Sequence, residues 1–499
     1  MKKSKILGQV YTPSWIVTEI LDNLSYSSDG ILEKFILEPS CGDGAFLCEI
    51  VNRYIEAAEL KEWSVDKIIS GLQTYVYGVE IDESAYTKCI ENLNKVVEER
   101  LSVKKVQWKV FHQSIFDFYT DYFSFFDYVV GNPPYIRIHN LDEKTRVFLK
   151  TNFRFSIGTI DIYLSFFELG IKLLNKKGKL GYITPNSFLH NASYKEFRYF
   201  LKEKKIIKSI TDFKSEKIFQ GFSTYTAITI IDKAYSEDSF VYKELVNNQI
   251  EEVNKITFNS LNPKKWNFSS NTNDTFLKKL FENKHSFIKE FFDVQYGFAT
   301  LRDKIYIGDK KDTDQEKLCY FNDAIVERSI LKKIVKASRY KGEDAYLYIL
   351  FPYELIGHRY TVIKEEKLKK EFPNAYNYLL QHKKELEKRD MDKGTLWYEF
   401  GRSQGIQTIH NEKIVLSTLV NGSIDFYHLP KDVMVYSGIF IIKNNPSSQW
   451  SMVEEVLASE DFYRYIRITG KDFSGGYKSI STKQIKEYRV NFNNSYTLF

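Results

Sequence analysis

Between residues 35 and 231, short apolar runs alternate with longer stretches of helical spacing. The run Phe35-Ile36-Leu37 ends at Glu38 and opens into Pro39-Ser40-Cys41-Gly42-Asp43-Gly44. That is a strand, a glycine-bearing turn, then a helix. Helical spacing covers about 45–70, and a second short strand, 75–81, ends at Glu80 and Asp82. A helix over about 83–100 leads to a strand at 106–111, which reaches Gln113-Ser114-Ile115. A further strand occupies 126–131. Residues 161–168 have helical periodicity, closed by Lys176-Lys177-Gly178-Lys179. Strands follow at 180–185, 206–213 and, as the last, 226–231. Ahead of all this, Ile16, Val17, Ile20 and Leu21 mark an N-terminal helix, with Thr12 as its N-cap and Pro13 as its first residue. Strand–helix alternation predicts an α/β fold with a twisted parallel sheet and ligands at the carboxyl ends of its strands.

The pattern changes after residue 235. Residues 236–285 read as a connector rich in Asn, Ser and Lys, and 286–499 as a separate α+β domain. The latter holds a strand and turn at 292–300, a mixed basic and apolar run at 330–340, and one Lys/Glu-rich helix over about 364–389. An aromatic–basic segment spans 396–404, and a glycine-rich loop precedes a basic helix near 472–480. Three domains result: 1–235, the connector 236–285, and 286–499.

The strand at 126–131 delivers Asn132-Pro133-Pro134-Tyr135. Two prolines fix φ and remove two N–H donors, so this elbow is stiff. It offers a side-chain amide, carbonyls with no competing local donor, and an aromatic face. Those groups suit an exocyclic amino group on a flat ring. The Asn132 oxygen and the Pro133 carbonyl can accept its two hydrogens, and Tyr135 can stack on the ring. A proline-capped turn with a surface tyrosine is the plainer alternative. Acidic Glu38 and Asp43 around the glycine turn argue against a phosphate and for a cationic ligand; no Gly-Lys-Ser/Thr ending is present. Glu80 has the place of an acid that takes ribose hydroxyls, with Asp82 the better helix cap. The loop 219–224 looks exposed, and Phe219 is either a stacking ring or a core residue.

Charge and cysteines narrow the field. The net charge of +6 over 499 residues lies wholly in the second half, since residues 1–250 balance. A basic second half is compatible with a polyanionic partner. The four cysteines include no Cys-x-x-Cys pair, so neither a zinc site nor a disulfide frame is expected, and no metal. No run of 18 apolar residues exists and no apolar signal segment follows the basic start, so no membrane span and a cytoplasmic location are expected.

Taken together, these motifs resemble the class γ N6-adenine DNA methyltransferases, the group that includes the TaqI methyltransferase. The resemblance covers about residues 8–231 and rests on the Tyr11-Thr12-Pro13 segment, the Glu38–Gly44 loop, Glu80 and the Asn132–Tyr135 elbow. It implies a Rossmann-like domain that binds S-adenosylmethionine, followed by a DNA target-recognition domain. The cofactor's methionine moiety would meet Tyr11, Thr12, Pro13, Glu38, Pro39 and the loop Cys41, Gly42, Asp43, Gly44. Glu80 would hold the ribose, Ile81 and Ile115 would pack near the adenine, and Pro134 and Asn132 would complete the wall. The family usually places an aspartate after the third strand; here Ser114 stands in that place. Asn132, Pro133 and Tyr135 would be catalytic, with Tyr135 and Phe219 stacking on a flipped-out adenine. Lys336, Arg339, Arg402, Ser403 and Lys478 would contact double-stranded DNA. A monomer without a fused nuclease is expected, with a separately encoded cognate restriction endonuclease as its partner. Methylation of a release-factor glutamine or of ribosomal RNA is the competing reading, as is an inactive DNA-specificity protein.

Overall fold

The computed structural model describes residues 12–491, apart from 157–160, 215, 220–223, 247, 267, 269–270, 283, 285, 343–345, 392–393, 404 and 447. The chain divides into two compact units, Met1–Thr272 and Asn273–Phe499.

The first unit is built on a nine-stranded sheet: β1 (Ile36–Glu38), β2 (Val76–Glu80), β3 (Lys109–His112), β4 (Phe126–Gly131), β5 (Leu174–Pro185), β6 (Ile207–Asp212), β7 (Thr226–Asp232), β8 (Ser239–Val246) and β9 (Gln249–Thr257). Their spatial order is β3-β2-β1-β4-β5-β7-β6-β8-β9. The strands from β3 to β5 are parallel, whereas β7 runs antiparallel to both of its neighbours. Both faces of the parallel part are covered. Ile36 and Val130 belong to one apolar core, and Leu37 and Val129 to the other. Alternate side chains therefore enter opposite layers, and the strands read as continuous apolar runs. Chain order reverses between β1 and β4, so the crevice of a doubly wound sheet falls there.

Several elements differ from the sequence expectation. The helical stretch 45–70 is two helices, Ala45–Leu60 and Val65–Tyr75; the Ser64 hydroxyl caps the second, accepting from Lys67 N at 3.4 Å. β3 starts at Lys109 rather than 106, because Asn94 Oδ1 takes the Val106 N–H and the Trp108 indole N–H instead. Lys176–Lys179 do not close a helix, which ends at Leu173. Leu174 already pairs with Phe126, and the chain rejoins the sheet at Lys179 opposite Tyr128, so the lysines form an irregularity inside β5. β7 is not the last strand: β8 and β9, from the stretch read as a connector, extend the same sheet.

The second unit is α+β. One four-stranded sheet joins Phe292–Tyr296, Ile439–Lys443, Lys413–Leu416 and Phe426–Leu429; another joins Ile307–Gly308, Leu347–Leu350, Leu331–Lys336 and Val433–Tyr436. The single helix expected at 364–389 is three short ones, Glu365–Glu371, Pro373–Gln381 and Lys383–Leu386. Pro373 has no N–H to continue the first and sits at the start of the second.

Candidate functional site

One cavity of about 670 Å³ opens over the carboxyl ends of β1, β2 and β4. Thr12, Glu38, Pro39, Cys41, Gly42, Asp43, Glu80, Ile81, Ser114, Ile115, Asn132 and Pro134 all line it. Thr12 and Asn132, which meet here, lie 120 positions apart in the chain. The parallel sheet brings the lining residues together because every one follows a strand end or, for Thr12, precedes the helix packed on that sheet.

Thr12 does not cap the N-terminal helix. That helix spans Ser14–Asn23, Pro13 occupies the cap, and the Pro13 carbonyl accepts from Ile16 and Val17 N–H. The Thr12 hydroxyl instead accepts from Asn132 Nδ2 at 3.1 Å. This bond orients the Asn132 amide, nitrogen toward Thr12 and oxygen the other way. Pro133 is buried, and the Tyr135 hydroxyl donates to the Ile183 carbonyl at 3.3 Å, which fixes the tyrosine ring.

Three carboxylates surround the glycine turn. Glu38 is 2 % exposed, and its Oε2 has no hydrogen-bond partner. Burial first, then the neighbouring Cys89, Glu80 and Asp43, push its carboxyl well above the usual glutamate range. Glu80 accepts from Gly42 N–H and from Asp82 N–H, each at 2.8 Å. Burial raises it, against the pull of these backbone bonds. Asp43 meets Lys88 at 3.8 Å. Asp82 is a helix cap, accepting from Ala85 N–H at 2.9 Å. An orphaned, buried carboxylate oxygen beside two further acids fits a ligand bearing an ammonium group. Gly42 and Gly44 stand at φ +54° and +93°. A Cβ on Gly42 meets nothing within 4 Å, whereas one on Gly44 falls 2.9 Å from Cys89 Sγ. Gly44→Ala is therefore expected to cost stability, on the order of 1–3 kcal/mol. Gly42→Ala meets no clash but is also strained at φ +54°, so it is expected to cost about 1 kcal/mol of stability and, beside the cavity, to lower ligand affinity as well. Thermal unfolding and cofactor titration of the two variants separate these effects.

Ser114 has its hydroxyl turned to the backbone, accepting from Phe116 N–H at 3.2 Å as the cap of a short helix, while Asp117 also lines the cavity. Pro13, Gly44, Pro133, Tyr135 and Phe219 lie outside the cavity wall, and Tyr11 falls outside the described residues. Phe219 is not exposed, as its loop had suggested: it is 2 % accessible in the core and edge-on to Tyr135, centroids 6.2 Å apart. Sequence reasoning missed one wall of the cavity, Leu141, Asp142, Lys144, Thr145 and Phe148. The helix Glu143–Asn152 buries only Leu149 and reads as a solvated surface element. The one available signal was its N-cap: Asp142 Oδ1 accepts from Thr145 N–H at 2.9 Å.

In the second unit, Arg339, Arg402 and Ser403 are exposed, and Lys336 and Lys478 half-buried. Lys336 pairs with Tyr436 at a strand end, Tyr436 bridges Phe298, and Ala299 bridges Arg402. Lys478 belongs to a separate small sheet, Leu419–Val420, Tyr477–Ser479 and Asp472–Phe473. Among the described residues, no group of three His, Cys, Asp or Glu is arranged to hold a metal ion, and no helix is long and apolar enough to cross a membrane.

Residues 49–219 match the family described as Eco57I restriction-modification methylase. The chain is 25% identical to the type II restriction enzyme and methyltransferase RM.Eco57I of Escherichia coli, over 95% of this chain and 56% of that protein. It is 25% identical to the type II methyltransferase M.BstVI of Geobacillus stearothermophilus, over 85% of this chain and 79% of that one. It thus spans little more than half the length of RM.Eco57I. Among solved structures, the type IIL restriction-modification enzyme MmeI in complex with DNA shares the fold, with a TM-score of 0.61 at 13% identity, covering 95% of this chain and 65% of that one.

Proposed function

We propose that this chain is a DNA methyltransferase of a restriction-modification system, moving a methyl group from S-adenosylmethionine to the N6 amino group of an adenine turned out of duplex DNA. The observation that carries this reading is the convergence, in one cavity, of the Thr12–Asn132 bond and the orphaned Glu38 oxygen. The similarity to restriction-modification methyltransferases supports it.

The cavity residues fit the cofactor. Glu38 takes the ammonium, Glu80 the ribose hydroxyls, and Ile81, 62% exposed at the cavity, an apolar face of the adenine. Ser114, with its hydroxyl already on a backbone amide, leaves Asp117 as the stronger acceptor on that side. When bound, the cofactor supplies a methyl group on a positively charged sulfur, an electrophile that needs no activation by the protein. The chain's work is then positioning. Asn132, held through its nitrogen, turns its oxygen to one hydrogen of the target amino group, and the Pro133 carbonyl takes the other. Tyr135 takes one face of the base, and Phe219, buried and edge-on to Tyr135 in this structure, would have to turn to take the other; stacking of roughly 1–3 kcal/mol per ring offsets part of the cost of extruding it. The second unit, with its excess of basic residues, holds the duplex through Lys336, Arg339, Arg402, Ser403 and Lys478. A cognate restriction endonuclease acting on the same site completes the proposal.

Incubating the protein with radiolabelled cofactor and, separately, duplex DNA, ribosomal RNA and a release factor tests the substrate class. Label should enter DNA alone, with an affinity that falls steeply as salt rises. Label in RNA or protein would refute the reading.

A further inference from the structure

In the second unit, residues Tyr353–Ile356 and Arg359–Val362 form a separate two-stranded antiparallel ribbon. Its base is tightly held. The Tyr353 hydroxyl accepts from Phe400 N–H at 2.9 Å. Tyr360 exchanges two backbone bonds with the Gln407 side chain, at 2.8 and 2.9 Å, and Ile363 N–H donates to the Pro352 carbonyl at 3.0 Å. Its tip is the opposite. Leu355, Ile356, Gly357, His358 and Arg359 are all exposed, Leu355 at 48% and Ile356 at 60%. Gly357 has φ +63° at the first central position of a two-residue turn, so the tip is a short, stiff hairpin.

Register assigns the faces. Leu355 sits opposite Tyr360, and Ile356 opposite Arg359. The Ile356 face thus ends in an aliphatic wedge beside a guanidinium. No carboxylate lies between Leu355 and Arg359; the nearest acid, Glu354, is paired with Lys367. Two large aliphatics thus stand at a rigid, anchored, cationic tip and belong to none of the three apolar clusters of this unit.

We propose that this ribbon enters the minor groove of the DNA duplex, with Ile356 inserting against a base step and Arg359, beside it on the same face, on the backbone. The proposal rests on DNA being the substrate. Two-stranded ribbons are known to enter the minor as well as the major groove, and aliphatic side chains wedged between steps from the minor groove unstack them. Such a wedge would kink the duplex and lower the cost of turning a base out of it.

The test uses the full chain, a duplex carrying its methylation site, and 2-aminopurine in place of the target adenine. Ile356→Ser, alone or together with Leu355→Ser, is expected to lose most of the fluorescence rise on binding and to lower the methylation rate by about tenfold. Unchanged cofactor binding and thermal unfolding confirm that the variant folds. Arg359→Ala is expected to weaken DNA binding and reduce the salt slope by about one. Ile356→Leu should restore the rate. If the wild-type chain methylates DNA but the Ser variants extrude and methylate equally well, the ribbon assignment is overturned. The same holds if they change only association with a second copy or another protein. If the wild-type chain methylates no DNA, the proposed substrate falls first.

Discussion

Asn132→Ala is expected to slow methyl transfer by about 10²–10³-fold while leaving S-adenosylmethionine affinity close to that of the wild type. The side chain would provide an acceptor that strengthens as the amino nitrogen gives up its electron pair. Such a contact acts on the rate step more than on ground-state binding. The elbow itself should survive, because Pro133 and Pro134 fix its backbone independently of the amide. The loss of the 3.1 Å bond to Thr12 should cost about 1 kcal/mol of stability. Single-turnover kinetics with isothermal titration of the cofactor separates the two quantities. A variant that turns over at the wild-type rate, or one that loses cofactor binding in step with activity, contradicts the assignment.

Glu38→Gln is expected to weaken cofactor binding by about tenfold to a hundredfold, the worth of a charge-assisted hydrogen bond in a buried site. It should also change the pH dependence of the ligand-free protein. Burial, and after it Cys89, Glu80 and Asp43, hold the Glu38 carboxyl well above its ordinary range. The folded chain therefore keeps this proton to a higher pH than the unfolded chain does. The associated stability is complete below the ordinary glutamate pKa and is lost as pH rises through the folded value. The glutamine variant has nothing to ionise there, so its stability should fall less over that window. Cofactor affinity should move the opposite way. A cationic ligand favours the ionised carboxylate, so wild-type affinity rises with pH across the same window, and the variant's, left with Glu80 as the raised acid of the cavity, rises less. Thermal unfolding and titration at several pH values read both slopes.

The parallel sheet and its ligand end were legible because β1, β2 and β4 are unbroken apolar runs that end in an acid or a glycine. What escaped was set by contacts distant in sequence. Thr12 looks like a helix cap until Asn132, 120 residues on, takes its hydroxyl. Lys176–Lys179 look like a helix end until Phe126 pairs with Leu174. The polar helix Glu143–Asn152 gives no local sign that its first turn walls a cavity. β9, at the sheet edge, and its neighbour β8 mix partly exposed polar residues with apolar ones and so read as a connector. Glu38 shows the converse. Its acidic character was plain in the sequence, but that one of its oxygens is left without a partner follows only from the packing.

The central claim is that the Asn132 amide, oriented by Thr12 over a cavity floored by Glu38, presents an adenine amino group for methylation. Mass spectrometry of nucleosides from duplex DNA incubated with the protein and S-adenosylmethionine tests it most directly. The account predicts N6-methyladenine, confined to one sequence context and absent when Asn132 is alanine. Methyl groups on cytosine, or N6-methyladenine formed equally well by Asn132→Ala, would contradict it.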